Sequence, residues 1–258
     1  MINILANQSD NKAYILSNNK AIIAPLKYGC DIDDFLGDIK NGILQCPTVK
    51  TPGINFVMNA TDIAASGLIN RFYNNTSITS VSFPYLTTLS KQYSCRNTFM
   101  KCINLTTIDL SALVTVSGRQ ACDSMFYGCT SLTSVNLSNL EVITGLGGFS
   151  SMFGLDSGNG GSLTSITFPK LKNLTASQAL MNCFINRTVL QSISFPALTS
   201  ASFGNNFTNQ FNNMLQGVTG CTVHFPSNIQ SVIGSWTDVT NGFGGTNTVV
   251  SFDLTTTE

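Results

Sequence analysis

The chain is poor in charge. Its 258 residues hold 13 Lys and Arg against 13 Asp and Glu, a 10% charged fraction, where ~25% is usual. No run of like charge occurs, which argues against nucleic acid or an anionic membrane as partner. There is one histidine and one tryptophan, so catalysis built on several imidazoles is excluded. No apolar stretch approaches the ~18 residues of a membrane span. The opening Met1-Ile2-Asn3-Ile4-Leu5-Ala6-Asn7 has no basic patch, apolar run or cleavage site, so no signal peptide is expected there. The glycine cluster at 158–161 has no following Lys and no helical pattern, which removes a phosphate-binding loop.

What is present is a core. Apolar residues reach 43%, enough to exclude wholesale disorder. About a third of the chain is Ser, Thr or Asn, so neutral polar groups replace ions in keeping it wet. Eight cysteines would read as a disulfide framework in a small secreted chain, but their placement points elsewhere. Cys95 and Cys122 are 27 residues apart, as are Cys102 and Cys129.

That step belongs to a repeat. The segment Ile78-Thr79-Ser80-Val81-Ser82-Phe83-Pro84-Tyr85-Leu86 recurs with its central apolar residue at Leu110, Leu137, Phe168 and Phe195, and in weaker copies at Phe56, Phe225 and Phe252. The steps are 27, 27, 27, 31, 27, 30 and 27. A second marker, Phe72, Phe99, Phe126, Phe153, Phe184 and Met214, follows the same beat and takes the same insertions. In Ile-x-Phe the two apolar residues share one face of a strand and the residue between them faces away. The Pro or Ser after Phe ends the strand, and a return segment carries Phe-x-x-Cys back against it. One such coil cannot bury its apolar face alone, whereas a stack buries a continuous core. Small Cys suits the places where coils approach closely. The four-residue insertion at 154–161 and the three-residue insertion near Phe203 and Phe207 are expected to lengthen rim loops without disturbing the strands that follow.

Residues 1–50 do not follow the beat and are expected to form a cap. Ala13-Tyr14-Ile15-Leu16 and Ala21-Ile22-Ile23-Ala24-Pro25 read as a β-hairpin joined by a four-residue turn, and Asp31 to Leu44 as a short helix or irregular segment. Residues 51–258 form the solenoid, of about seven or eight coils. Little follows Phe252 to cover the last strand's edge, where self-association is expected to start.

The pattern Phe-x-x-Cys-x-x-Leu-x-x-Ile-x-Leu/Phe-Pro/Ser-x-Leu, clearest from Met125 to Ser138, resembles the BspA-like leucine-rich repeats of bacterial surface proteins. The resemblance covers about residues 54–252. It implies an α/β repeat solenoid: a right-handed coil with a parallel β-sheet on its concave face and short helical or irregular segments on the return side. It also implies a non-enzymatic adhesion or recognition module on a bacterial surface or a virion, contacting a protein or glycan. The family carries no catalytic residues and no cofactor. A structural assembly subunit, packing through its end edge or a flat face, is the alternative.

Residues that bear chemistry fit this picture. His224, between Val223 and Phe225, is expected to face solvent with Thr222 and Ser194 beside it, which lacks the nucleophile and acid that catalysis needs. Asp31, Asp33 and Asp34 read as a solvated helix start rather than a hydrolytic pair. Cys95, Cys102, Cys122 and Cys129 are four potential thiolate ligands, but six residues separate the members of each pair, not the two to four usual for zinc; a ladder of buried free thiols accounts for them better. The remaining candidate is the outward row of the sheet: Ser80, Ser82, Thr107, Asp109, Ser134, Asn136, Ser165, Thr167, Ser192, Ser194, Thr222 and His224. It is either a binding sheet or a β face that hydroxyls merely solvate, and an ice-binding ladder is broken by Asp109, Asn136 and His224. Tyr85, Tyr93, Tyr127 and Trp236 are the rings expected at the surface, scattered over different coils. Residues 71–187 carry eight Lys and Arg against four acids, and 188–258 carry no Lys or Arg, which suggests a weakly basic middle beside an acidic end.

Overall fold

A computed structural model describes residues 2–7, 12–17, 20–25, 54–203, 210–233 and 242–255. The chain winds as a parallel-strand β-solenoid of about seven turns. The long strands are β4 (Ile54–Asn59), β5 (Ile78–Ser82), β7 (Thr107–Asp109), β9 (Ser134–Asn136), β11 (Ser165–Thr167), β12 (Ser192–Ser194), β13 (Thr222–Pro226) and β14 (Val249–Leu254). Between them lie the two-residue strands β6 (Thr88–Leu89), β8 (Thr115–Val116) and β10 (Val142–Ile143), which form a second small parallel sheet. Of the short helical or irregular segments expected on the return side, the helical part is confined, among the described residues, to 3-10 turns at Ser200–Phe203 and Ser227–Ile229, the α-helical turn Gln230–Ile233 and helical residues at 210 and 242–243. The α/β expectation is therefore corrected: among the described residues the solenoid is built of strands and turns.

The core is layered as the repeat demands. Phe83, Leu110, Leu137, Phe168 and Phe195 are all buried. Behind them Phe72, Phe99, Phe126, Phe153 and Phe184 stack nearly parallel, with centroids 5.0, 5.5, 6.1 and 5.7 Å apart along the row. A second row, Phe168, Phe195 and Phe225, stacks at 5.0 and 5.6 Å. Each buried ring contributes about 2 to 3 kcal/mol of burial, and the constant step lets identical side chains share one register.

Strand ends follow local chemistry. Leu86 N–H donates to Phe83 O, and Leu113, Leu140, Leu171 and Leu198 close the same turn in later coils. Position two of that turn favours Pro, and Pro84, Pro169 and Pro196 occupy it. Where Ser111 and Ser138 stand there instead, a backbone N–H appears, and Asp109 and Asn136 accept from it at 3.0 and 3.2 Å.

The return segment is a chain of consecutive turns. In residues 66–75 alternate N–H groups close a local turn (Gly67 to Ala64 O, Ile69 to Ser66 O, Arg71 to Leu68 O), while those between cross to the next coil (Leu68 to Ser94 O, Asn70 to Arg96 O, Phe72 to Thr98 O). Every fourth residue has positive φ: 66, 70, 74, then 93, 97, 101, then 120, 124, 128. Asn tolerates that conformation best after Gly; seven of the fourteen non-glycine residues that adopt it among the described residues are Asn.

The amino-terminal strands β1 (Ile2–Asn7), β2 (Lys12–Ser17) and β3 (Lys20–Pro25) extend the sheet. β1 pairs parallel with β4 and antiparallel with β2. The hairpin ladder runs on to Ser17↔Lys20, the outer pair of the expected four-residue turn, whose two central residues lie outside the described ones. The role of Ile2–Asn7 as a strand was not foreseen, and residues 31–44 lie outside the described residues.

Coils approach most closely at Gly118 and Gly145. A Cβ on Gly118 would lie 2.2 Å from Lys91 O, and one on Gly145 would lie 2.1 Å from Gly118 O. Backbone cannot yield there as a side-chain tip would. Gly118→Ala is expected to cost about 2 kcal/mol or more, whereas Gly242→Ala, with open space around it, should be near neutral. Paired urea denaturation curves check both, and equal stabilities would contradict this packing.

Candidate functional site

The twelve outward positions all fall on the strand face, but they are not equivalent. Ser134, Asn136, Ser165 and Thr167 are exposed, while Ser80, Ser82, Ser192, Ser194, Thr222 and His224 are half-buried by their neighbours. Thr107 is exposed and Asp109 half-buried. Asp109 and Asn136 are engaged in their strand-end turns, and Ser82 Oγ donates to Asp109 at 3.4 Å. Their departure from the hydroxyl row thus has a structural cause.

His224 has a partner that the sequence reading missed. Its Nδ1 lies 2.9 Å from both carboxylate oxygens of Asp253 on β14, and this imidazole, first among the causes, holds the Asp253 carboxyl below its usual range. β13 and β14 are neighbours in register His224↔Ser251, so Asp253, two residues on, reaches back across. Ser194 is the paired residue on β12, but among the described residues no hydroxyl or thiol bonds the ring.

Four of the five exposed residues, all but Thr107, flank a break. The large sheet ends at β9 and a separate sheet begins at β11. Elsewhere each coil bonds its successor at two flanking points: Thr133 N–H to Thr106 O and Leu110 N–H to Asn136 O below the break, Gln191 N–H to Thr164 O and Phe168 N–H to Ser194 O above it. Neither equivalent bond, from Thr164 or from Leu137, spans β9 to β11. The result is an open groove of about 310 Å³ lined by Thr133, Ser134, Asn136, Ser165 and Thr167, with Val135 and Ile166 beneath. Val135 is half-exposed here, although Val81, Ile108 and Ile193 at the same position are buried.

The cause is the four-residue insertion, and the expectation that it would leave the next strand undisturbed is corrected. The return walls stay joined across this step, Phe153 N–H to Cys183 O and Leu155 N–H to Ile185 O, so only the strand face opens. The loop at 154–161 lies between wall and strand, where extra chain displaces the strand itself. Asp156, which holds the place of Cys102 and Cys129 in its coil, pairs at the surface with Lys101 at 3.3 Å. The buried Arg187, at the same place one coil on, bonds Phe153 O through Nε and Cys129 O through NH2 at 3.1 Å. It reaches two coils back, through the place the loop has left. Burial lowers its pKa to about 10, so it is still charged at neutral pH. The resumption of both markers after the same four-residue insertion concealed this role in the sequence; the replacement of Cys by Arg at 187, one coil after the insertion, was the available signal. The three-residue insertion has no such effect, for β12 and β13 remain paired.

The other candidates lie away from the groove. Tyr85 is exposed, Tyr93 lies under Arg96, and Tyr127 donates to Leu155 O at 3.0 Å; Trp236 lies outside the described residues. Of the eight cations of the basic middle, Arg96, Lys101 and Lys172 pair with Asp123, Asp156 and Glu141, and Arg187 is buried. Cys95, Cys102, Cys122, Cys129, Cys183 and Cys221 are free and buried, and no metal-binding cluster of three or more side chains forms among the described residues. Cys102 and Cys129 donate to Phe72 O and Phe99 O of the preceding coil at 3.2 and 3.3 Å.

Burial pushes the Cys102 thiol up to about 12, and burial likewise raises Cys95, Cys122, Cys129 and Cys183. A folded pKa above the unfolded value leaves stability intact below the ordinary thiol range and removes it as pH rises toward the raised value. The melting temperature is therefore expected to fall above about pH 8.5, less steeply in Cys102→Ala. At pH 8 a thiol reagent should titrate at most Cys30 and Cys46, which lie outside the described residues, and all eight cysteines only after denaturation; a third fast thiol would contradict the ladder. No family model matches the chain, and no curated protein is detectably similar to it.

Proposed function

We propose that this chain is a non-enzymatic binding module of the BspA-like leucine-rich-repeat type, recognising a protein or glycan through its strand face on a bacterial surface or a virion. The observation that carries this is the groove between β9 and β11, the one step in the strand face where two strand edges and four exposed polar side chains converge. An opening lined by neutral polar and apolar groups, with no charged residue among them, suits recognition by shape and hydrogen bonds rather than steering by field. An enzymatic reading is disfavoured because, among the described residues, no hydroxyl or thiol bonds the His224–Asp253 pair, and His224 lies two strands from β11, the nearer edge of the groove.

A second reading, an assembly subunit, is favoured by β14, which pairs only with β13 among the described residues and exposes Val249 at 53%. Light scattering at increasing concentration separates the two: a strictly monomeric chain counts against assembly.

For the binding reading, the protein is to be screened on arrays of surface proteins and glycans. A saturable ligand is expected, its affinity falling at least tenfold in Ser134→Arg and Thr167→Arg while the melting temperature is unchanged. Silence on both arrays would contradict the reading.

A further inference from the structure

The break in the strand face has a chemical character of its own, set by the backbone at its two edges. In a parallel ladder successive residues direct their N–H and C=O groups to opposite neighbours. Phe168 N–H bonds Ser194 O on the β12 side, so Ser165 and Thr167 present their backbone groups toward β9. On β9, Asn136 O accepts from Leu110 on the β7 side, so Val135 and Leu137 present theirs toward β11. The groove is therefore bordered on both sides by backbone donors and acceptors at strand spacing that no ladder bond within the solenoid uses.

We propose that this groove takes an extended, uncharged peptide segment of a partner protein, which adds to the sheet by pairing with the open edges of β9 and β11. The inference rests on the binding reading and narrows it to one partner class and one mode. A polypeptide fits because its own N–H and C=O groups recur with the same period as the edges. Three features on the page support it. The open stretches are matched in length, Ser134–Asn136 against Ser165–Thr167. Val135 is half-exposed, offering an apolar contact for a side chain of the incoming strand that points inward. The lining holds no charged residue and no aromatic ring, so it favours a neutral segment and lacks the stacking platform that a sugar would use.

The test is selection from a phage-displayed library of random heptapeptides against the intact protein. Enriched peptides are then made with alternate backbone nitrogens methylated, in both registers. Neutral peptides with alternating apolar residues are expected, and methylation in at least one register should weaken binding tenfold or more. Bound peptide should slow hydrogen exchange at Val135, Leu137, Ser165 and Thr167. Thr167→Pro removes one groove-facing N–H without taking a bond from the β11–β12 ladder, and Val135→Arg fills the groove; either, at an unchanged melting temperature, should lower affinity at least tenfold. No enrichment over the Val135→Arg protein, indifference to methylation, or protection confined to other coils would overturn the proposal. A protein or glycan found on the arrays that neither competes with peptide nor responds to Val135→Arg would sink this mode and leave the binding reading standing. A peptide that binds in the groove while both arrays stay silent would support this mode and contradict only the assignment of the partner to the arrayed surface proteins and glycans.

Discussion

Everything in this molecule depends on backbone N–H groups that alternate between closing a turn in their own coil and crossing to the next one. In the return segment this alternation ties coil to coil from Ser66 to beyond Leu155, and it fixes the rise that lets Phe72, Phe99, Phe126, Phe153 and Phe184 stack as one column. Side chains then fill a space that the backbone has already defined. The pattern requires positive φ at every fourth residue, which is one reason the chain is rich in Asn. Close approach of coils requires Gly at 118 and 145 and accommodates the thiols at 102 and 129.

The repeat was legible because burial recurs at a constant step: the two Phe/Leu columns, the strand positions and the insertion sites could be read without coordinates. Three things could not. The turn-built return wall has no simple apolar period, so only short helical or irregular segments were expected where regular turns stand, and Asn looked like solubilising surface rather than a φ requirement. The strand Ile2–Asn7 lies outside the repeat and is identified only by its pairing with β2 and β4. The pairing of His224 with Asp253 joins neighbouring coils at positions offset by two residues, which equal-position alignment passes over.

The candidate site was half legible. Its outward residues were identified as a row, and the structure adds that the row is interrupted. That interruption follows from where extra residues enter a coil. Added to the return side, three residues leave β12 and β13 paired. Added between the wall and the strand, four residues separate β9 from β11, and Arg187 spans the space inside. A single local insertion thus turns a closed ladder into an open groove while the ring column behind it stays continuous. In a face of neutral hydroxyls, that groove is where a ligand would find unmet hydrogen-bonding capacity.

The most direct test is residue-resolved hydrogen exchange of the unliganded protein. Leu110 and Phe168 N–H, each bonded to the following coil, should be strongly protected, while Leu137 N–H should exchange at least about a hundredfold faster despite its buried side chain. Equal protection at all three would mean that β9 and β11 are paired and that the face is closed.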